Sequence, residues 1–285
     1  MIQEIGDRIF DNHYRPDIRM RAEDELFLFD EKSGEIGMKE SEDGMLEIPK
    51  AGDAGLTEEE CVYLFSIDDT RFFMPKSECS VSLPAGYEYR SPRVLRKGKP
   101  KDLCFAAMTA GHLNAWYKNN RMCGRCGTRT EYGEKERLMR CPKCGNLIFP
   151  RINPAVTVAV THEDKLLVSR YNGRKQTNLY ALIAGFVEIG ESAEECVARE
   201  VMEEVGLKVK NIRYYGSQPW GFAGNLQIGY TAEVDGDDRI VLDREELETA
   251  FFISREELEM NPVRPALTQE MIVAFRLGKI RLRTL

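Results

Sequence analysis

The sequence predicts an α+β protein in three parts, and three observations carry that expectation. Residues 1 to about 100 hold short apolar runs separated by acidic and glycine-rich turns, the pattern of a β-rich domain. Four cysteines follow as two Cys-x-x-Cys pairs, Cys123/Cys126 and Cys141/Cys144. Beyond them, β-branched runs flank a capped acidic helix between Gly185 and Leu207. The boundaries fall at 1–100, 101–150 and 151–285.

A chain of 285 residues can bury a sizeable core in more than one domain. A net charge of −7 argues against a general binder of phosphate backbones, although a local basic groove stays compatible with it. No run approaches the ~20 apolar residues that span a bilayer. The start MIQEIGDRIF lacks a basic segment followed by an apolar one. A cytoplasmic location without membrane contact is therefore expected. Cys61, Cys79, Cys104 and Cys196 read as buried thiols rather than as a disulfide framework.

In chain order, Glu25–Phe29, Val62–Phe65 and Arg71–Met74 read as strands. Ser91–Lys101, SPRVLRKGKPK, is basic and punctuated by proline, and reads as a linker with a solvated charge run. Ala106, Thr109, Leu113 and Trp116 recur at helical spacing and predict a helix from about Asp102 to Asn119. His112 within it, like His13 and His162, reads as packed or solvated.

In CGRCG and CPKCG, fourteen residues separate Cys126 from Cys141. Four thiolates at that spacing can close a tetrahedral zinc site. Two redox pairs are the competing reading, but the repeated glycine turns favour zinc. A closed four-cysteine site leaves no open coordination position, so one structural zinc per chain is expected. The loop Thr128–Arg140 mixes both charges and gives no clear nucleic-acid patch. Further strands are expected at Ala155–Val160, Lys165–Ser169, Tyr180–Val187, Val209–Tyr215 and Leu226–Val234, with a last amphipathic helix over 264–278.

The acidic helix is the chemical centre. Ser192 can cap it, with Glu195 closing a capping box, and Gly206 can stop it. At about 100° per residue, Glu200 and Glu204 lie ~40° apart and Glu203 ~60° to the other side of Glu200. Three carboxylates thus share one face, while Val197 and Val201 point inward. Like charges at this spacing repel. Arg199 or a divalent cation must offset them, and hard oxygen donors suit Mg²⁺ or Mn²⁺.

The stretch GFVEIGESAEECVAREVMEEVGL resembles the box of the Nudix hydrolases at every fixed position, from Gly185 through Glu191 and Arg199-Glu200 to Glu203-Glu204 and Gly206-Leu207. The segment SQPWGFAGN, Ser217 to Asn225, resembles the motif that follows the box in bacterial NADH pyrophosphatases. The zinc ribbon, the phrase at Phe149-Pro-Arg-Ile and the helix carrying Ala115-Trp-Tyr117 fit the same family. The resemblance covers residues 102 to 280 well and the N-terminal domain loosely.

The resemblance implies an α/β/α sandwich for the last domain and hydrolysis of the pyrophosphate bond of NAD(H) to nicotinamide mononucleotide and AMP, with removal of NAD caps from RNA as a related activity. Two or more Mg²⁺ or Mn²⁺ ions would be held by Glu200, Glu204, the Ala184 carbonyl and a later glutamate. That glutamate maps to Glu245, with Glu246 and Glu248 as neighbours. Glu203 completes the metal shell or takes the proton from the attacking water. Arg199 pairs with Glu191, and Gly185 serves a tight turn. For the nucleotide it implies Phe149 and Phe222 as stacking rings, Gln218 as a polar reader, and Pro219, Trp220, Gly221, Ala223, Gly224, Asn225 and Thr268 around them. Gly221 and Ala223 stand where the family has prolines, so a more mobile loop is expected. Phe149 stands where tyrosine is common. A homodimer is also implied. Two other readings stay open: a hydrolase of ADP-ribose or another dinucleotide, and a non-enzymatic nucleotide sensor carrying a zinc ribbon.

Overall fold

The computed structural model describes residues 1–76, 79, 81–173, 180–258 and 266–280. They fall into two compact units. The first comprises residues Ile2–Arg151 together with Gly221–Gly224, and the second comprises Met1, Ile152–Trp220 and the described residues from Asn225 onward.

The first unit is β-rich at its start. Strands β1 (Phe10–Asp11), β2 (Glu25–Leu26), β3 (Ile36–Glu40), β4 (Leu46–Glu47), β5 (Cys61–Ile67), β6 (Thr70–Pro75) and β7 (Glu88–Arg90) form two small sheets, ordered β1-β5-β6-β2 and β4-β3-β7. Leu64, Phe65, Phe72 and Met74 bury into one core with Phe27. The stretch expected to be a linker is part of this body. Ser91 accepts a hydrogen bond from the Arg93 amide and caps a 3-10 helix at Pro92–Arg96. Leu95 of that helix is only 3% exposed, so its apolar side chain anchors a segment whose charges alone suggested solvation.

Helix α1 (Lys101–Asn119) packs Phe105, Ala106, Met108 and Trp116 into the same core. Phe105 meets Phe10 edge-on at 4.9 Å. The ribbon follows as β8 (Glu131–Tyr132), β9 (Met139–Arg140) and β10 (Leu147–Ile148). It is tied to the body of the unit by the Tyr14 hydroxyl, which donates to the Gly133 carbonyl at 2.7 Å, and by burial of Met139 in the shared core.

The second unit is built on one mixed sheet. Its elements are β11 (Asn153–His162), β12 (Lys165–Tyr171), β13 (Ile183–Phe186), α2 (Ala193–Val205), β14 (Val209–Trp220), β15 (Asn225–Val234), β16 (Leu247–Ser254) and α3 (Leu267–Arg276). The sheet runs β14-β15-β11-β12-β16, with β13 pairing on β11. β11 and β15 are parallel, and the other pairs are antiparallel.

Alternation along β11 divides the core. Val156, Val158 and Val160 pack with Val197, Val201 and Val205 of α2, whereas Ala159 packs with Leu267, Met271 and Phe275 of α3. The result is a layered α/β/α arrangement. Two elements differ from expectation. Strand β16 was not anticipated, because Leu247–Ser254 mixes polar and apolar residues without clean alternation. Strand β14 continues to Trp220, so Ser217–Trp220 is paired strand rather than loop. Of the helix expected over 264–278, residues 264 and 265 lie outside the described residues.

Candidate active site and zinc ribbon

Helix α2 starts and stops as its sequence dictates. The Ser192 Oγ accepts from the Glu195 amide at 3.2 Å, and the Glu195 carboxylate accepts from the Ser192 amide at 2.7 Å. Gly206 ends it with φ +69°, a left-handed conformation that glycine adopts without a Cβ penalty. Burial of Val197 and Val201 fixes the helix rotation and thereby places the carboxylates. Glu204 is 2% exposed, Glu200 is half-buried and Glu203 is exposed.

Gly185 does not make a turn. It lies within β13 opposite Val156, and a Cβ built on it would sit 1.9 Å from the Cδ and Oε1 of Glu200. The missing side chain is the space that the Glu200 carboxylate occupies. The turn belongs instead to Gly190, at φ +101°.

Arg199 is the counter-ion of the cluster. Its Nη2 and Nε donate to Glu191 at 2.6 and 3.1 Å, a bidentate fork. Its Nη1 donates to Glu200 at 2.8 Å and to Glu203 at 2.9 Å, and Nη2 also reaches the Phe186 carbonyl at 3.0 Å. The Arg199 guanidinium and the Glu188 amide hold the Glu191 carboxyl down at about 2. Burial raises Glu200 against the pull of Arg199.

Glu204 receives no such help. Burial pushes its carboxyl up to about 8; the Ala184 amide facing it offsets part of this, and the charges of Glu200, Glu246 and Asp243 add to it. Neither Glu204 oxygen closes a hydrogen bond of ordinary geometry. A buried carboxylate with both oxygens orphaned, beside two further carboxylates, is a donor set that fits a hard divalent cation. Among the described residues only the four cysteines already gather their ligand atoms within 4.8 Å of one another; Glu200 and Glu203 are instead engaged by Arg199.

The later acidic segment sorts itself by electrostatics. The Glu245 amide donates to Asp243 Oδ1 at 2.8 Å, and the Glu245 side chain is exposed. Glu246 is the neighbour whose charge raises both Glu200 and Glu204. Glu248 is exposed at the start of β16. Asp243 had no signal in the sequence beyond its place in an acidic run.

The segment after the box is divided. Gln218 is fully buried, and its Oε1 accepts from the Leu267 amide at 2.6 Å. It therefore caps α3 rather than presenting that oxygen to a ligand. Pro219 is exposed, Trp220 is half-buried, and Asn225 is 7% exposed with its Oδ1 lacking a hydrogen-bond partner. Thr268 lies in the first turn of α3.

Gly221–Ala223 form a 3-10 turn within the first unit, with Gly224 at φ +66° behind it. A Cβ on Gly221 would approach the Met108 carbonyl to 2.7 Å. The glycine permits flush packing on α1. Phe222 packs against the core of this unit, and the Arg96 guanidinium lies 5.4 Å from its ring. Ala223 is exposed, and Phe149, just past the ribbon, is 55% exposed.

The four ribbon sulfurs face one another, with Cys123–Cys144 at 3.6 Å and Cys126–Cys141 at 3.5 Å. Zn–S bonds of ~2.3 Å in a tetrahedron require S···S edges of about 3.8 Å, so the site fits zinc with small adjustment. The two knuckles match: the Gly127 and Gly145 amides donate to Cys123 and Cys141 carbonyls at 2.8 and 3.0 Å. The Thr128 hydroxyl, 3.4 Å from Cys126 Sγ, and its amide hold that thiol down at about 6, while Cys144, against the pull of the Asn146 amide, is pushed up to about 11 by burial and the facing sulfurs.

Comparison with known proteins places both parts. The NUDIX domain family matches residues 151–272, and the NADH pyrophosphatase zinc ribbon domain matches residues 118–149. The NAD-capped RNA hydrolase NudC of Pseudomonas aeruginosa is 42% identical over 164 residues, which is 57% of this chain and 58% of that protein. The protein of the same name from Stutzerimonas stutzeri is 35% identical over 239 residues, 82% of each chain. A NUDIX hydrolase of known structure from Nitrosomonas europaea aligns with 56% of this chain and 92% of its own at 20% identity and a TM-score of 0.48. With the box carboxylates, the layered sheet and the four-cysteine ribbon all in place, the chain belongs to the Nudix hydrolase family, in the group that carries the NADH pyrophosphatase zinc ribbon.

Proposed function

We propose that this protein hydrolyses the pyrophosphate bond of NAD(H), giving (reduced) nicotinamide mononucleotide and AMP, and removes NAD caps from RNA. The observation that carries the chemistry is the orphaned, buried Glu204 carboxylate beside Glu200 on the box helix. The substrate class is supported by the names of the relatives, NAD-capped RNA hydrolases.

In this reading Glu200, Glu204 and the Ala184 carbonyl would hold divalent cations, Mg²⁺ or Mn²⁺ and two or more in number. Glu246 joins them in preference to Glu245, because its charge reaches both box carboxylates. Such cations would neutralise the phosphates and lower the pKa of bound water. Glu203, exposed at the edge of the cluster, accepts the proton of the attacking water. Arg199 holds Glu200 and Glu203 in place and is itself anchored by Glu191. Phe222, Phe149, Trp220, Asn225 and Thr268 are assigned to the nucleotide, and Gln218 to the support of α3. The working form is a cytoplasmic homodimer.

Mass-resolved product analysis with NADH, NAD⁺, ADP-ribose and NAD-capped RNA, each with Mn²⁺ or Mg²⁺, tests the substrate. Faster cleavage of NADH than of ADP-ribose supports the reading; cleavage of ADP-ribose alone refutes it. Glu203→Gln should lose at least 10²-fold in kcat with zinc content and fold retained. Glu246→Gln should raise the metal concentration needed for half-maximal rate, and Glu245→Gln should not. The opposite order returns the ligand role to Glu245.

A further inference from the structure

We propose that the first unit carries a docking strip for single-stranded RNA, in which Arg93, Lys97 and Lys99 hold phosphates and an adjoining cavity takes one base against Phe222. The proposal rests on the reading of capped RNA as a substrate, and goes beyond it by naming where the RNA chain downstream of the cap is held.

The stretch Ser91–Lys101 contains five cations and no acidic residue in a chain of net charge −7. A solvated charge run is the ordinary explanation of such a stretch. Here the backbone is not a free linker. Leu95 is buried in the core and Ser91 caps the 3-10 helix, so the cations project from a fixed frame. Arg93, Lys97, Lys99 and Lys101 are exposed. Among the described residues none of these four has an ion-pair partner within 4.0 Å. The nearby acids are engaged: Asp102 pairs with Arg8 at 3.1 Å and Glu31 with Arg121 at 2.9 Å. Asp43 feels the charge of Lys99 without closing a pair.

A cavity of about 310 Å³ adjoins the strip, at the low end of the roughly 300–1,000 Å³ of small-molecule sites. Leu95 of the 3-10 helix lines it, as do Lys32, Asn114, Lys118, Asn119 and Phe222. The Lys118 ammonium donates to the neutral Glu31 carbonyl, and its charge is felt by Asp30. Phe222 presents an aromatic ring beside the Arg96 guanidinium at 5.4 Å. Aromatic and guanidinium faces beside cations are the elements of sequence-tolerant single-strand binding, stacking for the base and charge for the backbone.

The identity of the polyanion follows from Phe222. Its ring packs within the first unit, lines the cavity and lies beside the Arg96 guanidinium. An aromatic ring and a guanidinium on the same unit as a row of exposed cations take a base and its phosphates together, which selects RNA over an acidic peptide or a membrane surface.

The test is fluorescence anisotropy with a short uncapped single-stranded RNA, a readout that does not need catalysis, using the full chain with its zinc. For Arg93→Gln/Lys97→Gln/Lys99→Gln, the Kd should rise at least ~10-fold at low salt, and the slope of log K against log salt should fall by about 2, at ~0.7 per lost phosphate contact. The charge-conserving Arg93→Lys/Lys97→Arg/Lys99→Arg variant should bind as the parent does. In turnover, kcat/KM should fall for NAD-capped RNA and stay within about twofold for NADH. Ala115→Trp, filling the cavity, should weaken RNA binding without changing the salt slope. A folded triple Gln variant that binds RNA as tightly as the parent, with an unchanged slope, overturns the strip. A parent that binds RNA through these residues but cleaves neither NADH nor capped RNA leaves the strip standing and refutes the proposed activity instead.

Discussion

Gly185→Ala isolates what the glycine of the box does. A turn glycine would be lost through backbone strain, but Gly185 is a strand residue paired with Val156. The added methyl would lie 1.9 Å from the Glu200 carboxylate carbon and one of its oxygens, where ordinary contact begins near 3.4 Å. The carboxylate must therefore retreat by about 1.5 Å, and a misplacement of about 1 Å in a catalytic group can cost ~10²-fold. Because the clashing atoms are the far end of a flexible side chain, the fold can give way there cheaply. Tm should fall by only a few degrees, for a cost of about 1 kcal/mol. The assay is steady-state NADH hydrolysis at saturating Mn²⁺, with far-UV circular dichroism and zinc content as controls. The expected result is at least a 10²-fold loss of kcat in a folded protein. Near-parental activity would refute the assignment of that space to Glu200. A large loss of stability would refute it differently, by showing that the glycine serves the backbone.

Three further outcomes follow from the same geometry. Gly221→Ala places a methyl 2.7 Å from the Met108 carbonyl, a backbone atom that cannot swing aside, and should destabilise the first unit by ~1–3 kcal/mol in urea unfolding. Cys126→Ser should abolish the single zinc per chain measured by atomic emission, and melt the ribbon with the burial of Met139 that depends on it. Arg199→Lys keeps the charge but not the fork on Glu191; it should lower kcat by about tenfold or more while folding persists, since a lysine cannot bind Glu191, Glu200 and Glu203 together.

Much of the second unit was legible because its signals are local. The Ser192–Glu195 box, the Gly206 stop and the Val197/Val201 face each depend on residues within one helix, and each appears where expected. The cysteine pairs were legible for the same reason. What escaped was long-range. The reason for Gly185 lies fifteen residues away in Glu200. Gln218 is a capping group only because strand β14 runs beneath the start of α3. The basic stretch at 91–101 reads as a linker because one buried leucine among five cations carries little weight in a pattern count; its cations are exposed as expected, yet that leucine anchors the segment. Adjacent glutamates such as Glu245 and Glu246 cannot be told apart in sequence, whereas in the fold the charge of Glu246 reaches Glu200 and Glu204.

The box helix holds an imbalance that its own residues do not resolve. Arg199 compensates Glu191, Glu200 and Glu203 directly, and among the described residues its guanidinium bonds do not include Glu204. That carboxyl is buried, orphaned and raised to about 8, against an ordinary value of 4.5. The folded protein thus holds the Glu204 proton more tightly than the unfolded chain does. Stability of the magnesium- and manganese-free protein should be highest below about pH 4.5 as far as this group is concerned, and should fall as pH rises from there to about 8, by on the order of a few kcal/mol at most. Glu191, held down at about 2, contributes the opposite slope only below pH 4.5, so the two windows do not overlap. Glu204→Gln should remove the decline between pH 5 and 8 in thermal melts and raise Tm at pH 8, while eliminating hydrolysis. An added divalent cation should raise the Tm of the parent at pH 8 and leave that of the variant nearly unchanged, because binding stabilises only the state that can bind. A parent melt that is flat from pH 5 to 8 would mean that Glu204 is compensated within the protein, and the case for a cation at its oxygens would fall with it.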